Sequence, residues 1–284
     1  MTTLWNKSAV KIYQILNWVS FLAMVFVNYL ANALPINDKT TGQLSNQYPN
    51  LFVPAPLTFS IWGVIYLLLL LFCIKQSKSL FSVQIDPATA ETVGVVGPRF
   101  IFTCILNMVW ILVWHYEYVA FSVFIMVLFL VQLININARL DTLTPYLAKN
   151  SRFFVKAPFG LYLGWLCIAT VANATTLLVT LGWNSWGQSE VFWASAMVLI
   201  GALIGSSALL KLRNAYIGLS VIWALIGVII ARLDADVYHR FVVWSSVFGI
   251  VVVSAAVVVE ITGSLFRTKK VKAVETTQTI ISSN

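Results

Sequence analysis

Eight stretches of this chain are apolar for long enough to cross a bilayer, and the loops between them are short and polar. A helix of about 20 apolar residues, rising 1.5 Å per residue, spans the roughly 30 Å hydrocarbon core and satisfies its own backbone hydrogen bonds where no water can. The stretches run Ile12 to Leu34, Leu57 to Ile74, Arg99 to Trp114, Val119 to Ala138, Pro158 to Gly182, Val191 to Leu210, Ala215 to Ala231 and Phe241 to Phe266. The third is short for a span. Only His115, Tyr116, Glu117 and Tyr118 separate it from the fourth, which predicts a tight helical hairpin. The expected fold is all-α: a polytopic integral membrane bundle of about eight transmembrane helices. A hydrophobic fraction of 60% leaves little room for a soluble domain, so one membrane domain is the economical reading.

The cations are distributed unevenly. With a cytoplasmic N-terminus, 15 of the 18 Lys and Arg fall on the inner side, leaving only Lys39, Arg232 and Arg240 outside. The positive-inside rule then puts both termini in the cytoplasm. A net charge of +8 raises the question of nucleic acid, but the cations flank helix ends and form no basic face, so lipid headgroups are the expected partner and nucleic acid is not. Cys73, Cys104 and Cys167 all fall within spans, without a CxxC or Cys/His pairing, which argues against a disulfide framework or a zinc site. Ala31, Asn32 and Ala33 have the look of a signal-peptidase site behind Lys7 and Lys11. The run before them is long and carries Asn17, Asn28 and Asn32, so an uncleaved helix is expected.

Four spans carry an aromatic and amide face that hydrophobicity alone does not require. Trp18, Phe21, Val25, Asn28 and Asn32 follow helical spacing in the first, and Phe59, Trp62 and Tyr66 in the second. The third has Asn107, Trp110 and Trp114, and the fifth Tyr162, Trp165, Ala169 and Asn173. All four stripes are expected to face inward. Asn in hydrocarbon is costly without a partner, so the amides must meet something polar. Two readings follow: ordinary inter-helix bonds with aromatic filling, or a cavity for a flat apolar ligand stacked on indoles and oriented by amides.

The run Tyr162-Leu163-Gly164-Trp165-Leu166-Cys167-Ile168-Ala169-Thr170-Val171-Ala172-Asn173 resembles the last helix of TspO/MBR proteins, the tryptophan-rich sensory or translocator proteins. Leu106-Asn107-Met108-Val109-Trp110 is similar to that family's third helix, and Pro56, Phe59, Trp62 and Tyr66 to its second. The resemblance covers roughly Ile12 to Gly182 and implies a five-helix bundle whose long first loop, here Pro35 to Ala55, lids a pocket for porphyrins, sterol-like molecules or synthetic aromatic ligands. It implies Trp62, Asn107, Trp110, Trp165, Ala169 and Asn173 as pocket-lining residues, and Tyr66 and Tyr162 on the same stripes complete the expected ligand-binding set. No cofactor is required; porphyrin or haem enters as ligand, and a homodimer is an open expectation.

Two departures stand out. The family's proline before the Tyr of the last helix is replaced by Leu161, with Pro158 three residues earlier, and three further spans follow. The expected division is a five-helix region at 1–182, three additional helices at 183–268 and a disordered cytoplasmic tail at 269–284. In the added spans Gly201 and Gly205 form a GxxxG suited to close packing. Glu260 lies inside an apolar run near Arg267, where snorkelling or ion pairing is expected. Arg232, Asp234, Asp236, His239 and Arg240 read as a solvated turn. His115 and His239 have no second ligand nearby, and there is no GxSxG, P-loop, HExxH or Rossmann glycine pattern.

The expected function is a membrane receptor or sensor for a hydrophobic planar ligand. The alternative is a secondary transporter of a small amphipathic solute, for which the only hint is an echo of Phe59-Ser60-Ile61-Trp62 in Leu219 to Trp223. Light-dependent porphyrin degradation is a further alternative, and no acid–base pair accompanies the tryptophans. The charge bias and the lack of a transit peptide suit a bacterial plasma membrane.

Overall fold

The computed structural model describes residues 5–34 and 36–282, with side chains through 266. Pro35, where the lid loop is expected to begin, and the side chains of Arg267, Lys269, Lys270 and Lys272 lie outside the described residues. Every regular element described is helical, and eight of the helices are long and apolar enough to span a membrane, the second being counted with its flanking 3-10 turns as Pro56–Ser79 and the last as Arg240–Phe266. They are α1 (Lys7–Ala33), α3 (Ile61–Gln76, entered through a 3-10 turn at Pro56–Ser60), α4 (Pro87–His115), α5 (Val119–Leu143), α6 (Lys149–Thr180), α7 (Glu190–Lys211), α8 (Tyr216–Leu233) and α9 (Arg240–Ser282). A short helix, α2 (Thr41–Asn46), lies in the first long loop. With eight crossings the start of α1 and the Phe266 end of the eighth span fall at one end of the bundle, and the first long loop at the other.

Within the first five spans α4 packs between α1 and α5, and α6 lies against α5 and α3. The last three pack mainly on one another and join the rest where α8 runs along α6. Gly164 permits that approach, because a Cβ there would overlap the Ile217 carbonyl oxygen and Ser220 Oγ of α8. Gly201 faces Ile168 of α6 and Gly205 faces Val221 of α8, so the GxxxG packs helices together. The expected signal-peptidase motif forms the last turn of α1, and Ala31 is fully buried there.

Two helices are longer than the apolar runs suggest. The third span is not short: α4 has 29 residues and begins at Pro87, with the Asp86 carboxylate accepting from Thr89 N as N-cap. The apolar run read from sequence starts at Arg99, just after Pro98, yet Pro98 sits inside the helix. The Arg99 guanidinium donates to the Val95 carbonyl at 2.6 Å, next to the hydrogen bond the proline removes. Pro158 is likewise interior to α6, which begins at Lys149. Around it, Asn137 Nδ2 donates to the Phe159 carbonyl at 2.9 Å and Asn214 Nδ2 to the Lys156 carbonyl at 3.0 Å. Asn214 also donates to Asn137 Oδ1 at 2.8 Å, so these bonds tie α5 and α6 to the turn between α7 and α8.

The backbone of α9 continues helical to Ser282, where the sequence reading expects a disordered tail from residue 269; no Gly or Pro after Gly263 interrupts it. Glu260 is buried and has a partner, while the Arg232–Arg240 connection is largely exposed, as a mixed-charge turn should be.

Candidate functional site

The aromatic stripes of α3, α4 and α6 converge beneath the first long loop. Helical spacing stacks Trp62 on Tyr66 (ring centroids 5.6 Å apart) and Trp110 on Trp114 (5.9 Å). Trp165 meets Phe59 and Trp62 edge-on, at 5.8 and 6.1 Å. These rings wall two adjoining cavities. The larger, about 400 Å³, lies between α1 and the α3–α4 face, where Asn28 and Asn32 line it opposite Trp62, Tyr66 and Trp110. The smaller, about 60 Å³, is enclosed by Trp62, Trp110, Trp114, Trp165, Ala169 and Asn173. Thr41, Phe59, Trp62 and Trp110 belong to both.

Six of the eight residues singled out from sequence therefore line a cavity. Asn107 and Tyr162 do not: both are fully buried behind the wall. Asn28 Nδ2 donates to Asn107 Oδ1 at 2.6 Å, and Asn107 Nδ2 donates to the Tyr162 hydroxyl at 2.9 Å. Tyr162 in turn packs edge-on against Trp62 at 5.5 Å and Phe129 at 5.2 Å. The pair thus fixes the Trp62 ring from behind. One level deeper, Phe72, Phe100 and Phe159 close the bundle with centroids 5.1 to 5.7 Å apart. Asn173 accepts from Ser122 Oγ at 3.1 Å, which ties the far wall to α5.

Most of the site's polar groups are spent internally, with one group of exceptions. The indole Nε1 atoms of Trp110, Trp114 and Trp165 and the Tyr66 hydroxyl are buried without a hydrogen-bond partner among the described residues. Four orphaned donors on the walls of adjoining cavities are unusual, because an unmade buried hydrogen bond costs about 1–3 kcal/mol.

The loop above them is held at both legs. Leu44 and Phe52 are buried anchors, and the α2 helix is fixed by a capping box between Thr40 and Gln43. Val53 and Pro54 lie against the small cavity, as an apolar, proline-stiffened cover should. The first leg meets the α4–α5 turn. There Lys39 Nζ pairs with Glu117 at 2.7 Å, the Tyr48 hydroxyl donates to the same carboxylate at 3.1 Å, and Asn37 Nδ2 donates to the His115 carbonyl at 3.0 Å. The hydrogen bond from Lys39, helped by that from Tyr48, holds the Glu117 carboxyl below the usual carboxylate range. Partial burial, and then the adjacent carboxylate, raises the Tyr48 phenol. The second leg meets the added helices: Ala55 N donates to the Gly227 carbonyl at 2.9 Å, and Trp223 Nε1 to the Thr58 carbonyl at 2.8 Å.

Glu117 sits in the left-handed region, at φ 59°, where it closes α4. Tyr118 N bonds to the Val113 carbonyl and Glu117 N to that of Trp114, the pattern in which glycine usually occupies this position. Sequence reasoning found the hairpin but not the clamp, since nothing in spacing pairs Lys39 with a residue 78 positions away. Thr41, Ile168, Ala172 and Thr176 also line the small cavity; the last three lie on the same α6 face as Trp165 and were legible by periodicity.

Fold and site together define a polytopic α-helical membrane protein with an aromatic-walled cavity under a tethered lid. The family model described as TSPO-like protein matches residues 14–259, and the chain belongs to that family. The match runs past residue 182, where the sequence resemblance stops, through α7 and α8 and into α9. No curated protein and no solved structure matches the chain.

Proposed function

We propose that the protein is a membrane receptor or sensor for a hydrophobic planar ligand, tetrapyrrole- or sterol-like, held between the indole faces of the lidded cavity. The observation that carries this reading is the convergence of Trp110, Trp114 and Trp165, each with a free indole N–H, around the space that Val53 and Pro54 cover. A flat ring system offers faces to stack and edge acceptors, such as carboxylates or carbonyls, to pair those donors; each stacked aromatic contributes about 0.5–1.5 kcal/mol beyond its buried area. The larger lobe, at about 400 Å³, falls within the roughly 300–1,000 Å³ of small-molecule pockets. The small lobe, at about 60 Å³, is too narrow for a ring system, so a ligand reaches all three indoles only once walls such as Val53 and Pro54 have moved apart.

The receptor reading is favoured over transport by the floor of the site. Asn107, Tyr162 and the Phe72–Phe100–Phe159 cluster are all buried and mutually packed beneath the cavity, which supports a closed-ended pocket. Titration with protoporphyrin IX and with haem, followed by tryptophan quenching, tests the proposal: saturable binding is expected, and its absence refutes the reading. The proposal places the protein in a plasma membrane, with both termini on the cytoplasmic side and the lid outside.

A further inference from the structure

A second cavity, of about 340 Å³, lies on the other side of the lid and shares no lining residue with the first two. Its walls are the lid segment Pro49 to Phe52, the end of α6, and the start of α7 with the connection before it. It exists only because α7 follows α6.

Its chemistry differs from that of the indole-donor cavity. The wall polar groups are already used. Asn50 Nδ2 donates to the Tyr48 carbonyl at 3.0 Å and Asn50 Oδ1 accepts from Phe52 N at 3.1 Å, while Trp193 Nε1 donates to the Ser185 carbonyl at 2.8 Å. Thr175 Oγ1 donates to the Val171 carbonyl at 2.9 Å. What remains is the cavity-lining part of the Trp183 and Trp193 rings, whose centroids are 4.8 Å apart and against which Trp186, and for Trp193 also Phe192, pack edge-on, together with one charge. That charge is Glu190, the only ionisable residue lining the cavity among the described residues. Its carboxylate is exposed and, among the described residues, has no hydrogen bond or ion pair.

An acid in the first turn suits the α7 N-terminus, and tryptophans suit a membrane interface. Those roles account for Glu190 taken alone and for Trp186, which is 74% exposed. They do not account for two half-buried indoles and an unpaired carboxylate around one space. We infer that this cavity binds an amphipathic organic cation, its ammonium head set between the Glu190 carboxylate and the Trp183 and Trp193 rings and its apolar body against Leu51, Phe52 and Leu178. Aromatic faces attract cations through the ring quadrupole, and a nearby carboxylate adds direct charge complementarity.

The head group has two sources, a choline lipid or a free organic cation. The test is calorimetric titration of the full chain in uncharged maltoside micelles with benzyltrimethylammonium and, separately, with its neutral carbon isostere neopentylbenzene. Saturable binding of the cation is expected, at least tenfold weaker for the isostere and at least tenfold weaker for Glu190→Gln, with Trp165→Ala unchanged. Repeating the titration with phosphatidylcholine added assigns the source: competition points to the lipid head group, and undiminished binding to a free cation. Equal affinity for the isostere, or a Glu190→Gln protein that binds the cation as the native one does, overturns the inference. Glu190 is exposed at a helix start, so the variant folds.

Discussion

Replacing Glu117 with glycine separates what this residue does for the backbone from what it does for the lid. At φ 59° a non-glycine residue pays roughly 1 kcal/mol of local strain, which glycine does not. Against that relief stands the lost clamp. The Lys39–Glu117 pair has side chains 32% and 37% exposed, so solvent screening limits it to roughly 0.2–1 kcal/mol. The Tyr48 hydrogen bond adds about as much again. A clamp of roughly 1–2 kcal/mol shifts the open population of the lid by about 5- to 30-fold. Glu117→Gly is therefore expected to unfold close to the native temperature, and about 1 kcal/mol above Glu117→Ala, which loses the clamp and keeps the strain. Both variants open the lid alike. The three native cysteines are buried, so a cysteine introduced at Val53 reports opening through its maleimide-labelling rate. Labelling should rise 5- to 30-fold in both variants; a rate unchanged from the Val53→Cys parent refutes the claim that Glu117 holds the lid.

The same reporter reads a pH dependence. Glu117 titrates below the usual carboxylate range in the clamped state, because Lys39 and Tyr48 favour its charged form. A lowered pKa means that the clamp is fully present above the ordinary carboxylate value and lost as pH falls through the lowered one. Because maleimide reacts with the thiolate, the Val53→Cys rate is taken relative to a free thiol at the same pH; that ratio should be flat from neutrality down to that range and rise below it, and Glu117→Gln should abolish the rise. At the helix seam, Gly164→Ala places a methyl against the Ile217 carbonyl and Ser220, whereas Gly63→Ala meets nothing within 4 Å. The first should lower thermal stability markedly, and the second should leave it unchanged or raise it by about 0.5–1 kcal/mol through helix propensity; equal effects would remove the close approach of α6 and α8 from the account.

Much of this architecture is legible from residue type and spacing, and the parts that are not share a physical origin. Hydrophobic length marks all eight spans, and period 3.6 turns the stripes of α3, α4 and α6 toward one another, whereas the α1 stripe runs along the edge of its buried face, from buried Phe21 to exposed Asn32. The starts of α4 and α6 are hidden by Pro98 and Pro158, which read as helix boundaries in sequence yet lie inside helices packed on both sides by other spans. Asn107 and Tyr162 show the same limit at the site. An inward-facing amide or phenol looks alike in sequence whether it meets a ligand or another side chain, and only the fold shows that these two hold each other. The Lys39–Glu117–Tyr48 clamp and the Gly227 and Trp223 contacts to the lid's second leg depend on loops and on helices far along the chain.

The central claim is that Trp165, Trp110 and Trp114 form one ligand-binding surface. Titrating purified protein with protoporphyrin IX, native against Trp165→Ala, tests it most directly. The account predicts saturable micromolar binding, about −8 kcal/mol, weakened at least tenfold in a variant that remains folded. Quenching that never saturates, or an affinity indifferent to the loss of Trp165, would contradict it.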